Sequence, residues 1–399
     1  MSTIAEYITT HPWLTFKDQF KHYPLGMRLG EAFSKCSHLA GTPLQPAIAA
    51  DLSSFYLAKG AAATTAIEGN TLSESEVKQI LDGDKKLPPS QEYLEREVTN
   101  VASVLRGIDE SSQAGTRWYL TPEWLKEQNR LILEGIDDED YVVPGEFTTK
   151  QLTVGQGVYR PVEPREVPML VDKLCDWTNE TMRRAYDTTI PADERFVLVF
   201  HAAVLAHLYI AWIHPFGNGN GRTARALECA VLAHSGLVPW VATNLLSDFY
   251  NRTRTKYYQV LANASRKRDV DGFISYSAEG FVDMLREQIR TVQTMQRSVA
   301  WVNYVHERFH HQTQGDTSRR RRALALALPE GKPTPRSALR RLTPELAEMY
   351  TRVGDRALSH DTNRLVKMGL IRGDARGGFT SNISIMDAFM PAPSPRPLV

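Results

Sequence analysis

The reading of this chain turns on Ile213-His214-Pro215-Phe216-Gly217-Asn218-Gly219-Asn220-Gly221-Arg222-Thr223-Ala224-Arg225. An apolar helix has to stop before Pro215, because proline has no amide hydrogen and its ring clashes with the preceding turn. Glycines then alternate with asparagines, and a new helix is expected to open at about Gly221. The product is a Gly-rich loop closed by a helix N-terminus, where unpaired N–H groups and the helix dipole favour an anion. The glycines let backbone approach phosphate oxygens closely. Arg222 and Arg225 are three apart and share one helix face, where their forked donors suit phosphate. His214 stands at the loop entrance, where a neutral imidazole can take the proton of a hydroxyl nucleophile. A bare Gly-Asn-Gly-x-Arg fits an ordinary helix–helix connection. The full ordered run of His, Phe, three Gly and two Arg does not.

Outward from this loop, most of the chain reads as helix. Apolar periodicity predicts helices near 49–68, 74–82, 91–107, 122–135, 165–184, 193–210, 221–235, 247–264 and 270–298. Ser73 with Glu76 forms a capping box, and Thr121-Pro122 places proline at a first helical position. Gly145 to Pro161 breaks the pattern: alternating residues with Gly155 and Gly157 predict a short β-hairpin.

The chain has 47 Lys and Arg against 46 Asp and Glu, a net charge of +1. That balance argues against bulk electrostatic binding to nucleic acid but leaves local patches open. Cys36, Cys175 and Cys229 are far apart and lack metal-ligand spacing, which fits a reducing cytoplasm and buried thiols. Phe196 to Ile213 is the most apolar stretch, yet His201 and His207 interrupt it, so it reads as a core helix rather than a membrane span. Met1 to Pro12 lacks the pattern of a signal peptide.

The run from His214 to Arg225 resembles the Fic-family signature HPFx[D/E]GNGRxxR. The resemblance extends over roughly residues 50–300: His201 and His207 before the motif, Leu246-Ser247-Asp248-Phe249-Tyr250 and Tyr257-Tyr258 after it, and Pro144-Gly145-Glu146-Phe147 at the start of a flap. It implies an all-α, mainly helical Fic fold with a short β-hairpin flap, and an enzyme that moves AMP from ATP onto a protein Ser, Thr or Tyr hydroxyl. By the same resemblance, His214 is the general base and Phe216 anchors the loop in the core. Gly219, Asn220 and Gly221 hold the α- and β-phosphates, Arg222 pairs with the phosphates, and Arg225 meets the γ-phosphate. The flap, with Thr148, Thr149, Lys150, Gln151, Leu152 and Thr153, would pair with the target segment as an added strand. Asn218 stands where the family has Asp or Glu holding Mg²⁺. An amide oxygen without charge is a poorer ligand, so weaker or altered metal use, Mn²⁺ included, or another nucleotide donor is implied.

Thr64-Thr65-Ala66-Ile67-Glu68-Gly69-Asn70 is a second constellation. A carboxylate in the last turn of a helix is disfavoured by the dipole and suggests an external cation; an ordinary exposed Glu is the plainer reading. Beside the motif, the run resembles the family's inhibitory sequence [S/T]xxxE[G/N], with Thr64 and Glu68 in place. Glu68 would then pair with Arg225 and deny it to the γ-phosphate.

The texture changes after 309–318. Short helices near 319–328, 337–342, 346–353 and 359–368, followed by Gly-punctuated strands within 372–384, describe a winged helix-turn-helix. Arg319 to Arg322, Arg336, Arg340 and Arg341 are basic, and the helix from Ser359 would be the recognition helix. DNA is one partner for it; a protein, or a second copy in a homodimer, is the other. The expected organisation is an N-terminal helical region at 1–110 with the inhibitory helix, a catalytic core at 111–300, a linker at 301–316, a winged-helix domain at 317–390 and a disordered Pro-rich tail at 391–399. Three functions follow: an autoinhibited protein adenylyltransferase, an enzyme that removes AMP with Glu68 activating water, and a nucleotide-sensing DNA-binding regulator.

Overall fold

The structure is a computed structural model and describes residues 23–136, 139–155, 159–267, 270–310, 315–374 and 377–387. The signal-peptide reading at 1–12, the hairpin tip at 156–158 and the tail at 391–399 lie outside them. The chain divides into two units, Met1–Ile289 and Arg290–Val399.

The first unit is helical: α1 (Tyr23–Ala40), α2 (Pro46–Ile67), α3 (Glu74–Leu81), α4 (Glu92–Gln113), α5 (Pro122–Ile132), α6 (Val167–Ala185), α7 (Ala192–Ile213), α8 (Asn220–His234), α9 (Trp240–Thr243), α10 (Leu245–Arg252), α11 (Arg254–Lys267) and the start of α12 (Val270–His310). The capping box at Ser73 and the Thr121 cap form as expected. α7 is apolar all round, and such a helix has to be enclosed. It is long and apolar enough to cross a membrane, but its residues from Val199 to Ile210 are all buried inside this unit. α8 packs along α7, and its other side meets α2, α4 and α5 through Ala226, Cys229 and Ala230. All three cysteines are buried and free.

Three points differ from the sequence expectation. α1 was not foreseen, and the helix expected over 247–264 is two helices, α10 and α11. The expected linker at 301–316 is helical through His310, and its Trp301, Val305 and Phe309 join the core of the second unit. Apolar residues at i, i+4 and i+8 keep a helix going through a polar stretch.

The second unit holds α13 (Asp316–Ala327), β1 (Thr334–Pro335), a 3₁₀ turn at Arg336–Arg341, α14 (Pro344–Thr351), α15 (Asp355–Lys367), β2 (Ile371–Gly373) and β3 (Gly378–Ser381). The sheet is antiparallel with order β1-β3-β2, Thr334 pairing Phe379 and Arg372 pairing Thr380. Its core is separate from that of the first unit: Leu324, Leu339, Leu346, Leu358, Leu365 and Phe379 close on the end of α12.

Candidate active site

α7 ends in a left-handed residue, His214, with φ 52° and ψ 58°. It is the only non-glycine with positive φ among the described residues. Its amide still donates to the Ile210 carbonyl at 2.8 Å. The turn sets His214 at the head of the loop. Burial pushes its pKa down to about 4, against smaller opposing effects from a hydrogen bond to the Ala211 backbone and from Glu68. The ring is therefore neutral at pH 7, with one N–H held by a carbonyl and the other nitrogen carrying a lone pair.

Phe216 is fully buried and anchors the loop as expected. The Asn220 side chain closes the loop on it, accepting from the Phe216 amide at 3.0 Å and donating to the Phe216 carbonyl at 2.7 Å. That amide is spent on loop shape, so Asn220 can reach an anion only through its backbone N–H. Gly219 sits at φ 75°, and a Cβ there would come within 2.8 Å of the Asn129 amide. A Cβ on Gly221 would collide with the Glu68 carboxylate. The two glycines thus serve different ends: one the turn, the other open space above the α8 N-terminus.

Glu68 fills that space. It caps the end of α2, with Gly69 at φ 112° behind it. Its Oε1 accepts from Arg225 Nη2 at 2.6 Å. The Thr64 carbonyl accepts from the same nitrogen at 3.0 Å, and the Thr64 hydroxyl accepts from Arg225 Nε. Thr64, Glu68 and Arg225 therefore meet as the resemblance implied. Burial works against ionisation of Glu68, but Arg225 outweighs it, with Arg222 and Arg254 adding, and holds the carboxyl below its usual range. α11 steadies the same helix end: the Tyr258 hydroxyl donates to the Ile67 carbonyl at 3.1 Å.

Arg222 has its own carboxylate. Glu97 on α4 lies 3.3 Å from its Nη1 and also accepts from Asn70 at 2.9 Å. Behind Arg225 runs a buried polar chain. The guanidinium hydrogen-bonds Tyr257, the Tyr257 hydroxyl is 2.9 Å from His207 Nε2, and His207 Nδ1 is 3.3 Å from Glu228. Tyr250 donates to Glu228 at 3.0 Å. A fully buried guanidinium needs such partners to stay both charged and aimed. Sequence reading noted His207 and Tyr257 without their roles, and missed Glu97 and Glu228.

It also missed Asn129. This buried α5 side chain donates to the Asn218 carbonyl at 3.0 Å and to Thr223 Oγ1 at 3.3 Å, and accepts from Gly145 N at 3.1 Å. One amide thus ties the motif loop, the first turn of α8 and the base of the flap. A polar residue in a helix reads as solvent-facing until its neighbours are known.

For a divalent cation the donor set is poor. Asn218 Oδ1 already accepts from Gly219 N at 2.6 Å. No cluster of three His, Cys, Asp or Glu that could hold a metal exists among the described residues. These side chains do not fit a protein-held Mg²⁺.

The flap is mostly without regular secondary structure, with one paired rung of its own. Phe147 bridges Phe216, Thr148 N donates to Pro215 O at 2.8 Å, and Val154 exchanges backbone bonds with Tyr159. The Tyr159 hydroxyl caps Trp212 O at 2.9 Å. Thr148 is buried and acts as an anchor. Thr149, Lys150 and Thr153 are exposed, and Gln151 and Leu152 are half-buried. Among the described residues, the amides of Thr149, Gln151, Leu152 and Thr153 make no backbone–backbone hydrogen bond.

Residues 119–232 match the family model described as Fic/DOC. Over 236 residues the chain is 28% identical to protein adenylyltransferase fic-1 of Caenorhabditis briggsae, a stretch that is 59% of this chain and 42% of that protein. The chain thus spans less than half the length of that curated relative. A Fic family protein from Desulfovibrio desulfuricans superposes over 92% of this chain and 98% of its own, with a TM-score of 0.55 and 18% identity. Fic-1 (aa134–508) of Caenorhabditis elegans matches over 73% of this chain and 77% of its own, with a TM-score of 0.53 and 23% identity. These structures establish the likeness of fold. The chain carries a Fic domain.

Proposed function

We propose that this Fic-domain chain is a protein adenylyltransferase that moves AMP from ATP to a Ser, Thr or Tyr hydroxyl of a target protein, and that Glu68 holds the reaction off. The observation that carries the reading is the capture of Arg225 by Glu68 and Thr64 at a helix N-terminus, beside a neutral imidazole. A carboxylate in that place marks where an anion belongs. One guanidinium cannot serve both a carboxylate and a γ-phosphate, so ATP in its productive pose requires Glu68 to leave.

With Glu68 withdrawn, the phosphates lie against the backbone N–H groups of Gly219, Asn220 and Gly221, with Arg222 and Arg225 flanking. The target segment pairs with the amides of Thr149, Gln151, Leu152 and Thr153 and brings its hydroxyl to His214. The hydroxyl oxygen attacks the α-phosphorus, and its proton passes to the imidazole lone pair. The bond from the α-phosphorus to the bridging oxygen breaks, and pyrophosphate leaves. Fixed N–H and guanidinium donors stabilise the charge that builds on the phosphates. Mg²⁺ or Mn²⁺ carried by ATP itself would add to this charge balance.

Autolabelling with ATP carrying label in the α-phosphate tests the proposal. Glu68→Gly raises labelling by about 10-fold or more, the loss of a shielded ion pair being worth over 1 kcal/mol. His214→Ala in that background abolishes it while ATP still binds. Labelling that stays at the parental level in a folded Glu68→Gly chain overturns the brake; labelling that survives His214→Ala overturns the base.

A further inference from the structure

We infer that the exposed face of α15 is a binding surface for duplex DNA. The inference stands apart from AMP transfer and rests on how the second unit disposes of its charges.

The arginine run looks like the nucleic-acid contact in the sequence, but two of its members are spent inside. Arg320 Nε and Arg321 Nε donate to the two oxygens of Asp361 at 2.8 and 2.7 Å, and Tyr350 donates to the same carboxylate at 3.1 Å. Arg320 and Asp361 are buried. This clamp turns Asp361 to the inside of α15, where Leu358, Thr362 and Leu365 are also buried.

The outer face that remains carries Arg356, His360, Asn363, Arg364 and Lys367, all exposed. Their spacing of i, i+4, i+7, i+8 and i+11 keeps them on one side. No described carboxylate shares that face. Arg321 Nη2 lies 2.9 Å from His360 Nδ1; arginine only donates, so Nδ1 accepts and the proton sits on Nε2. Arg336 sits against Ser359 at 3.2 Å, adding charge beside the helix, and Arg372 is exposed on β2. The described carboxylates of α14 are engaged elsewhere, Glu345 by Arg319 and Glu348 by Arg352.

Residues 315–387 hold fourteen Lys and Arg against eight Asp and Glu, a charge of +6 in a chain whose total is +1. The near-neutral whole thus hides a basic module. A helix of this length, about 20 Å, fits the major groove of B-form DNA. Arg and Asn are the side chains that pair with guanine and adenine edges there. The deep, narrow major groove of duplex RNA does not admit a helix. Those donors and that shape favour DNA over RNA or an acidic protein. The three-helix order with a two-stranded wing supports the same reading.

Fluorescence anisotropy of the full chain with a labelled, mixed-sequence DNA duplex of about 30 base pairs tests this, over salt from about 50 to 200 mM. The wild type binds, and affinity falls steeply with salt. Arg364→Gln with Lys367→Gln lowers the slope of log affinity against log salt by about 2, one for each lost phosphate contact, and weakens binding at least 10-fold at the low-salt end. Both residues are exposed, so the melting curve stays unchanged and misfolding is not the cause. No anisotropy change at about 50 mM salt with tens of micromolar protein overturns the inference. So does an unchanged slope in the double variant, or equal affinity for an RNA duplex of the same sequence.

Discussion

Among single residues, His214, Glu68 and Arg225 were readable because spacing along the chain makes them neighbours or because the motif names them. Their chemistry makes a pH prediction. The imidazole has to be neutral to accept a proton, and burial takes its pKa from 6.5 to about 4. In the Glu68→Gly variant, kcat/KM holds level from pH 8 to pH 6 and declines only as pH approaches about 4. An inflection near 6.5 would show a solvated ring and a different base. Glu97 was not readable. Its partner Arg222 is 125 positions away, and a Glu in the first turns of a helix is what the dipole favours anyway.

At the scale of elements, the α7–loop–α8 hairpin was legible almost to the residue: proline stops one helix and the Gly-Asn run starts the next. The flap was legible as a break in helical texture, but not as a ribbon moored by Phe147, Thr148 and Tyr159. α1 escaped because its polar residues blur the helical period. The mooring depends on Asn129, which joins three segments that share no local pattern. Asn129→Ala removes three hydrogen bonds and leaves the buried Gly145 amide unpaired. That costs about 2–3 kcal/mol, a fall of about 5 °C or more in the melting temperature of the first unit. AMP transfer drops further than ATP binding, because the flap loses its alignment with the loop. Differential scanning fluorimetry and a KM-against-kcat comparison check both parts.

For the whole molecule, the sequence disclosed two textures, and the structure has two units with separate cores. The boundary was harder, because α12 runs on through Trp301, Val305 and Phe309, where a linker was expected. The charge inversion at Asp361 was not legible at all: an acid in a basic helix reads as solvated until two arginines from another helix close on it. Asp361→Ala strands those two guanidiniums, one of them buried, at a cost of about 3 kcal/mol or more. Hydrogen exchange reports the loss locally. Amides in α13 and α15 lose protection, whereas α7 and α8 keep theirs. Uniform loss across both units would contradict separate cores.

The left-handed backbone at His214 sets stability and chemistry against each other at a single position. Glycine or asparagine suits that conformation better than histidine, by about 1 kcal/mol. Directed evolution that selects for heat resistance alone would therefore discard the imidazole early and return sturdier, inert proteins, so a thermostabilised library of this chain has to be screened for turnover at every round.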